Sequence, residues 1–111
     1  MYLKNIEGQT VLDLAKELTV QQGQIVSKTL VQNSYVGITL FAFSKNEEIS
    51  THTSTGDAMV QVLEGTGCFT VGEQEYEVSQ GQSLVMPAEI PHAVYAQTDF
   101  KMLLTVVFPT K

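Results

Sequence analysis

Between Gln24 and Phe108 the chain is a succession of short runs of β-branched, aromatic and aliphatic residues, broken by Gly, Asn or Pro at intervals of about eight to twelve residues. Helices need longer uninterrupted stretches with apolar residues three and four apart, so this rhythm admits an all-β sandwich or barrel and little else. Nine strands are predicted: Gln24–Gln32, Tyr35–Ser44, Glu48–Thr53, Asp57–Leu63, Gly67–Val71, Gln74–Val78, Ser83–Met86, His92–Ala96 and Phe100–Phe108. Turn-forming residues separate them at Gln32-Asn33-Ser34, Lys45-Asn46-Glu47, Gly65-Thr66-Gly67, Gly72-Glu73, Gln80-Gly81 and Thr98-Asp99. Helical spacing occurs only at Val11, Leu14, Ala15 and Leu18, where one or two turns are expected with Thr10 as N-cap.

A chain of 111 residues with 43% hydrophobic and 16% charged content can bury one core and is too apolar to be disordered. No linker or repeat is visible, so a single domain is expected, an arm over residues 1–34 followed by a barrel over residues 35–108. The N-terminus lacks a basic-then-apolar leader pattern and no apolar run reaches membrane-spanning length, which leads to the expectation of a cytoplasmic protein without membrane contact. Cys68 has no partner for a disulfide or a zinc site and reads as a small buried side chain. The six basic residues are all lysine against twelve acids, a net charge of −6, which argues against nucleic acid as a partner. Without arginine, an anionic ligand could be gripped only by lysine, backbone amides or a metal.

The two histidines each sit in a distinctive frame. The first runs His52-Thr-Ser54-Thr-Gly-Asp57-Ala58-Met-Val60-Gln-Val62-Leu-Glu-Gly65; the second runs Gly81-Gln-Ser-Leu-Val-Met86-Pro87-Ala-Glu89-Ile-Pro91-His92-Ala-Val94-Tyr-Ala96. Their spacing resembles the two motifs of the cupin superfamily, with Gly65, Gly81, Pro87 and His92 in register. The resemblance covers most of the chain and implies a double-stranded β-helix, a jelly-roll-like β-barrel, preceded here by a short N-terminal helical segment. It also implies a metal site of two histidines and a glutamate from the first motif and one histidine from the second. Only His52 and His92 match; Ser54 stands at the second histidine and Ala58 at the glutamate. Three turn positions depart as well, with Asn46 and Glu89 in place of glycine and Ala96 in place of asparagine.

Strand alternation puts His52 with Ser54, Ala58 with Val60 and Val62, and His92 with Val94 on shared faces, which the barrel would turn inward. The expected ligand pocket is therefore His52, Ser54, Ala58, Val60, Val62, His92 and Val94, mostly apolar with two imidazoles and a hydroxyl. Four readings compete. The histidines could be inherited positions without present chemistry. They could hold a divalent Fe, Mn, Ni or Zn ion with Asp57, Gln61 or Glu89 as helpers, in a dioxygenase- or isomerase-like enzyme. They could act as a general acid/base pair, or anchor a small molecule without catalysis. The last is the leading reading. Small members of the family form homodimers, and the apolar Ile25, Val26, Leu30 and Val31 of the N-terminal stretch suggest the same here.

Overall fold

The computed structural model describes residues 1–110. Among them nine strands form where the sequence places them, with bounds shifted by one residue at several ends: β1 (Ile25–Gln32), β2 (Val36–Phe43), β3 (Glu48–His52), β4 (Asp57–Glu64), β5 (Thr66–Val71), β6 (Gln74–Ser79), β7 (Ser83–Met86), β8 (His92–Ala96) and β9 (Phe100–Val107). They pair antiparallel into two sheets, β1-β2-β9-β4-β7 and β3-β8-β5-β6, which face each other as a jelly-roll barrel.

Period-two alternation sets which side chains meet between the sheets. Phe100, Met102, Leu104 and Val106 of β9, Ala58, Val60 and Val62 of β4, and Phe41 and Phe43 of β2 face Phe69, Val78, Val94 and Ala96 from the other sheet. One end is filled by aromatic rings: Phe43 stacks on Phe100 at 4.6 Å between centroids, and Phe69 meets Phe100 edge-on at 6.2 Å. Gly67 makes room for them, since a Cβ there would lie 2.8 Å from Phe100 Cζ. Toward the other end the inward side chains shrink to Ala58 and Val106, and the barrel is not filled.

The expected short N-terminal helical segment is present as one turn, and only its cap is corrected. Only Leu14–Lys16 winds, as a single 3₁₀ turn with Asp13 at its N-cap, and the Thr10 hydroxyl instead donates to the Gly8 carbonyl at 3.2 Å. Four spaced apolar residues are too few to sustain a longer helix without more tertiary support, and here Leu14 and Leu18 lie on a sheet while Val11 is exposed. Leu14, Leu18 and Val20 cover Leu40, Ala42 and Leu103 on the outer face of the first sheet, forming a second apolar cluster. Two lysines fasten this arm. Lys101 Nζ donates to the Ala15 carbonyl at 2.6 Å, and Lys28 Nζ contacts the Glu17 carboxylate at 3.2 Å. Three of the four apolar residues singled out in the N-terminal stretch are covered within the chain: Leu30 is buried, Val26 packs under the arm and Ile25 packs against the barrel core.

Both non-glycine residues at glycine positions of the motifs adopt the backbone that glycine would. Asn46 has φ 76° and Glu89 has φ 69°, in the left-handed region. Asparagine tolerates this region well; glutamate does not, and Glu89 is strained. Gly65, with φ 73°, has no alternative, because a Cβ there would run into the Asp99 carbonyl.

Candidate functional site

The unfilled end of the barrel is a cavity of about 230 Å³ lined by Phe41, Ile49, His52, Ser54, Ala58, Met86, His92, Val94, Met102, Leu104 and Val106. Of the seven residues expected there, His52, Ser54, Ala58, His92 and Val94 line it. Val60 and Val62 share the inward face of β4 but are fully packed in the core beneath it, at 0% and 2% exposure. The expectation was too broad because parity identifies a face and says nothing about depth along it. The residues missed are the alternate positions Met102, Leu104 and Val106 of β9, together with Phe41, Ile49 and Met86. Their period-two spacing on β9 marked them as inward, while only the pairing of β9 with both β2 and β4 places them at this end.

His52 and His92 are directly opposed across the β3–β8 pair, with ring centroids 4.3 Å apart and planes at 67°. His92 is buried and His52 is exposed at the mouth. Each ring is oriented by its own chain. Nδ1 of His52 lies 2.9 Å from the Ser50 carbonyl and Nδ1 of His92 lies 3.1 Å from the Ile90 carbonyl, two residues back in both cases. A carbonyl oxygen can only accept, so each Nδ1 carries the proton and donates it. In the neutral imidazole each Nε2 on the far side of the ring then presents its lone pair as an acceptor. The Ser54 Oγ accepts the Gly56 N–H at 3.1 Å, leaving its own O–H to donate.

The carboxylates and the amide named as helpers do not join the pair. The Asp57 carboxylate accepts the Ala88 N–H at 2.8 Å and pins the β7–β8 loop. Glu89 is exposed, its N–H donated to the Ser54 carbonyl at 2.8 Å. Gln61 falls between Val60 and Val62 and so points to the opposite face of β4. Among the described residues no three His, Cys, Asp or Glu side chains come together in a way that could hold a metal. At the position of the family's glutamate there is the Ala58 methyl. The residues present therefore do not fit the full metal-ligand set that the motif implies.

Tyr95, of opposite parity to His92, turns outward and donates its hydroxyl to Asn46 Oδ1 at 2.6 Å. Cys68 is half-buried on the outer face of its sheet rather than in the core, because Phe69 takes the inward position. Burial, and then the nearby Glu75 and Glu77 carboxylates, push its thiol up from the ordinary value, which disfavours the thiolate a nucleophile requires. Glu75 and Glu77 lie on β6, an edge strand, where charge discourages pairing with other chains.

Comparison with known proteins agrees with this architecture. The family model of the cupin domain matches residues 39–108. The crystal structure of a conserved protein of unknown function from Streptococcus pyogenes superposes with a TM-score of 0.98 at 49% identity, covering 100% of this chain and 97% of that one. A cupin superfamily protein from Desulfitobacterium hafniense gives a TM-score of 0.91 at 30% identity, covering 96% of this chain and 98% of its own. An uncharacterized protein from Methanocaldococcus jannaschii is 24% identical over 91 residues, 78% of this chain and 73% of that protein.

Proposed function

The chain belongs to the cupin family, and from that premise we propose that it binds a small molecule in the barrel cavity, with His52 and His92 as its polar anchors. The observation that carries this reading is the pair of imidazoles opposed at 4.3 Å, both with Nδ1 committed to a carbonyl and both lining an otherwise apolar cavity. One imidazole in the wall and one at the mouth of a largely apolar cavity supply the few convergent polar groups by which such a cavity holds and orients a small ligand. A thermal-shift screen of small uncharged compounds tests it. Compounds that stabilise the wild type should lose their effect in Ala58→Leu, whose larger side chain occupies the cavity; hits that persist in that variant bind elsewhere and contradict the proposal.

The alternative, a metal-dependent enzyme, uses the same two Nε2 atoms. Its support is the orientation of both rings by backbone carbonyls, an arrangement that metal-ligating histidines share. Its difficulty is the missing carboxylate, since two neutral imidazoles supply no charge compensation for a divalent ion. Elemental analysis of protein purified without added metal separates the two: stoichiometric metal lost in His52→Ala and in His92→Ala favours the enzyme.

A homodimer is part of the same proposal. The outer face of the first sheet leaves Met59, Val85 and Val107 at 39%, 56% and 58% exposure on neighbouring strands, beyond the reach of the arm. Sedimentation at micromolar concentration showing a 12.2 kDa species would contradict it. Among the described residues no helix is long and apolar enough to cross a membrane.

A further inference from the structure

We infer that the cavity recognises an uncharged vicinal diol on a compact apolar body; this rests on the ligand-binding reading above and specifies the chemistry of the ligand. The polar groups of the lining form a definite code. In the neutral imidazoles Nε2 of His52 and Nε2 of His92 accept, because each Nδ1–H is already donated to Ser50 O or Ile90 O. The Ser54 oxygen accepts from Gly56 N, and its O–H remains free to donate to a ligand. Two neighbouring hydroxyl groups meet all three demands: each O–H donates to one imidazole, and one of the two oxygens accepts the serine proton.

Charge is excluded on both sides. Against neutral imidazoles a carboxylate or phosphate would set its oxygens against two lone pairs, with no lysine to offset them. Among the described residues no lysine lines the cavity: Lys28 and Lys101 are engaged with the N-terminal arm, Lys4 and Lys16 belong to that arm, and Lys45 lies in the turn after β2. An ammonium ion would leave water for a lining that contains no carboxylate, and an unpaired buried charge is costlier than an unpaired hydroxyl. Size limits the remainder. At ~30 Å³ per water, a cavity of about 230 Å³ holds roughly eight waters, room for a single ring and little more. The apolar lining from Phe41, Ile49, Met86 and Leu104 fits the hydrocarbon part of such a compound.

The test uses the full chain treated with a chelator, in alkaline buffer that keeps imidazoles neutral, and titrated with three probes: cis-1,2-cyclohexanediol, its dimethyl ether, and cyclohexanecarboxylate. Binding is followed by the backbone amide shifts of Ser54, Ala58 and His92. The diol should move these amides and bind about tenfold or more tightly than the ether, the equivalent of two ordinary hydrogen bonds; the carboxylate should leave them unmoved. His92→Leu should reduce the diol-to-ether ratio toward one. Because the ratio is measured in the wild type, the test does not depend on that variant folding. Ether or carboxylate binding at these amides as tightly as the diol overturns the inference and leaves the pocket reading standing. Diol binding that needs an added divalent metal overturns direct recognition. If none of the three probes moves these amides, the pocket reading falls and the inference with it.

Discussion

Two residues apart on the same face of β4, Ala58 and Val60 should respond in opposite directions to the same enlargement. Ala58 lines the cavity, whereas Val60 is completely buried in packed core. Ala58→Leu adds three carbons that can extend into a chamber of about 230 Å³, which has ample room for them. At ~0.8 kcal/mol per buried CH₂ the gain is at most about 2.4 kcal/mol, reduced by ~0.5–1 kcal/mol for the leucine rotamers that become fixed. A net stabilisation of about 1.5 kcal/mol follows. Val60→Leu adds one carbon where nothing can yield and should cost ~1–3 kcal/mol by overpacking. Each kcal/mol moves the melting temperature of a domain of this size by roughly 4–8 °C. Differential scanning calorimetry should therefore show Ala58→Leu melting several degrees above wild type and Val60→Leu several degrees below. If Ala58→Leu also melts below wild type, the cavity is not available space and the reasoning about what it holds fails with it.

Other outcomes follow from single positions. Glu89→Gly should gain about 0.5–1 kcal/mol in urea titration, since relief of the left-handed backbone is worth ~1–2 kcal/mol and the added freedom of the unfolded glycine costs ~0.5–1; Glu89→Val should lose stability instead. Gly65→Ala should cost at least about 2 kcal/mol, from the positive φ together with the clash against the Asp99 carbonyl. Cys68 should react with a disulfide reagent at pH 8 more slowly than a free thiol, because a raised pKa lowers the thiolate fraction; replacing Glu75 and Glu77 by Gln should lower the pKa and speed the reaction. Lys101→Met removes the donor to Ala15 O and the contact with Glu64, and should increase amide hydrogen exchange in residues 13–18 while β9 stays protected.

The strands were legible because this barrel obeys one local rule throughout: alternation in the strands and Gly, Asn or Pro between them. The two motifs led to the expectation of His52 and His92 in one pocket, while their direct pairing across β3 and β8 is read from the structure alone. Two things could not be read from the sequence. Val60 and Val62 have the parity of Ala58, and only the stack of Phe43, Phe69 and Phe100 decides which end of the barrel is filled. The protonation pattern of the histidines depends on carbonyls two residues back, which become acceptors only when the backbone turns them toward the ring. The arm shows a third limit: Leu14 and Leu18 have helical spacing, but the sheet beneath them covers their apolar surface with only one 3₁₀ turn between them.

The most direct test is the tautomeric state of the two rings, read from side-chain ¹⁵N and ¹H NMR of chelator-treated protein in alkaline buffer. Both histidines should carry the proton on Nδ1 and present an unprotonated Nε2. A proton on Nε2 of either ring would remove an acceptor from the cavity and contradict the account of what the site is built to hold.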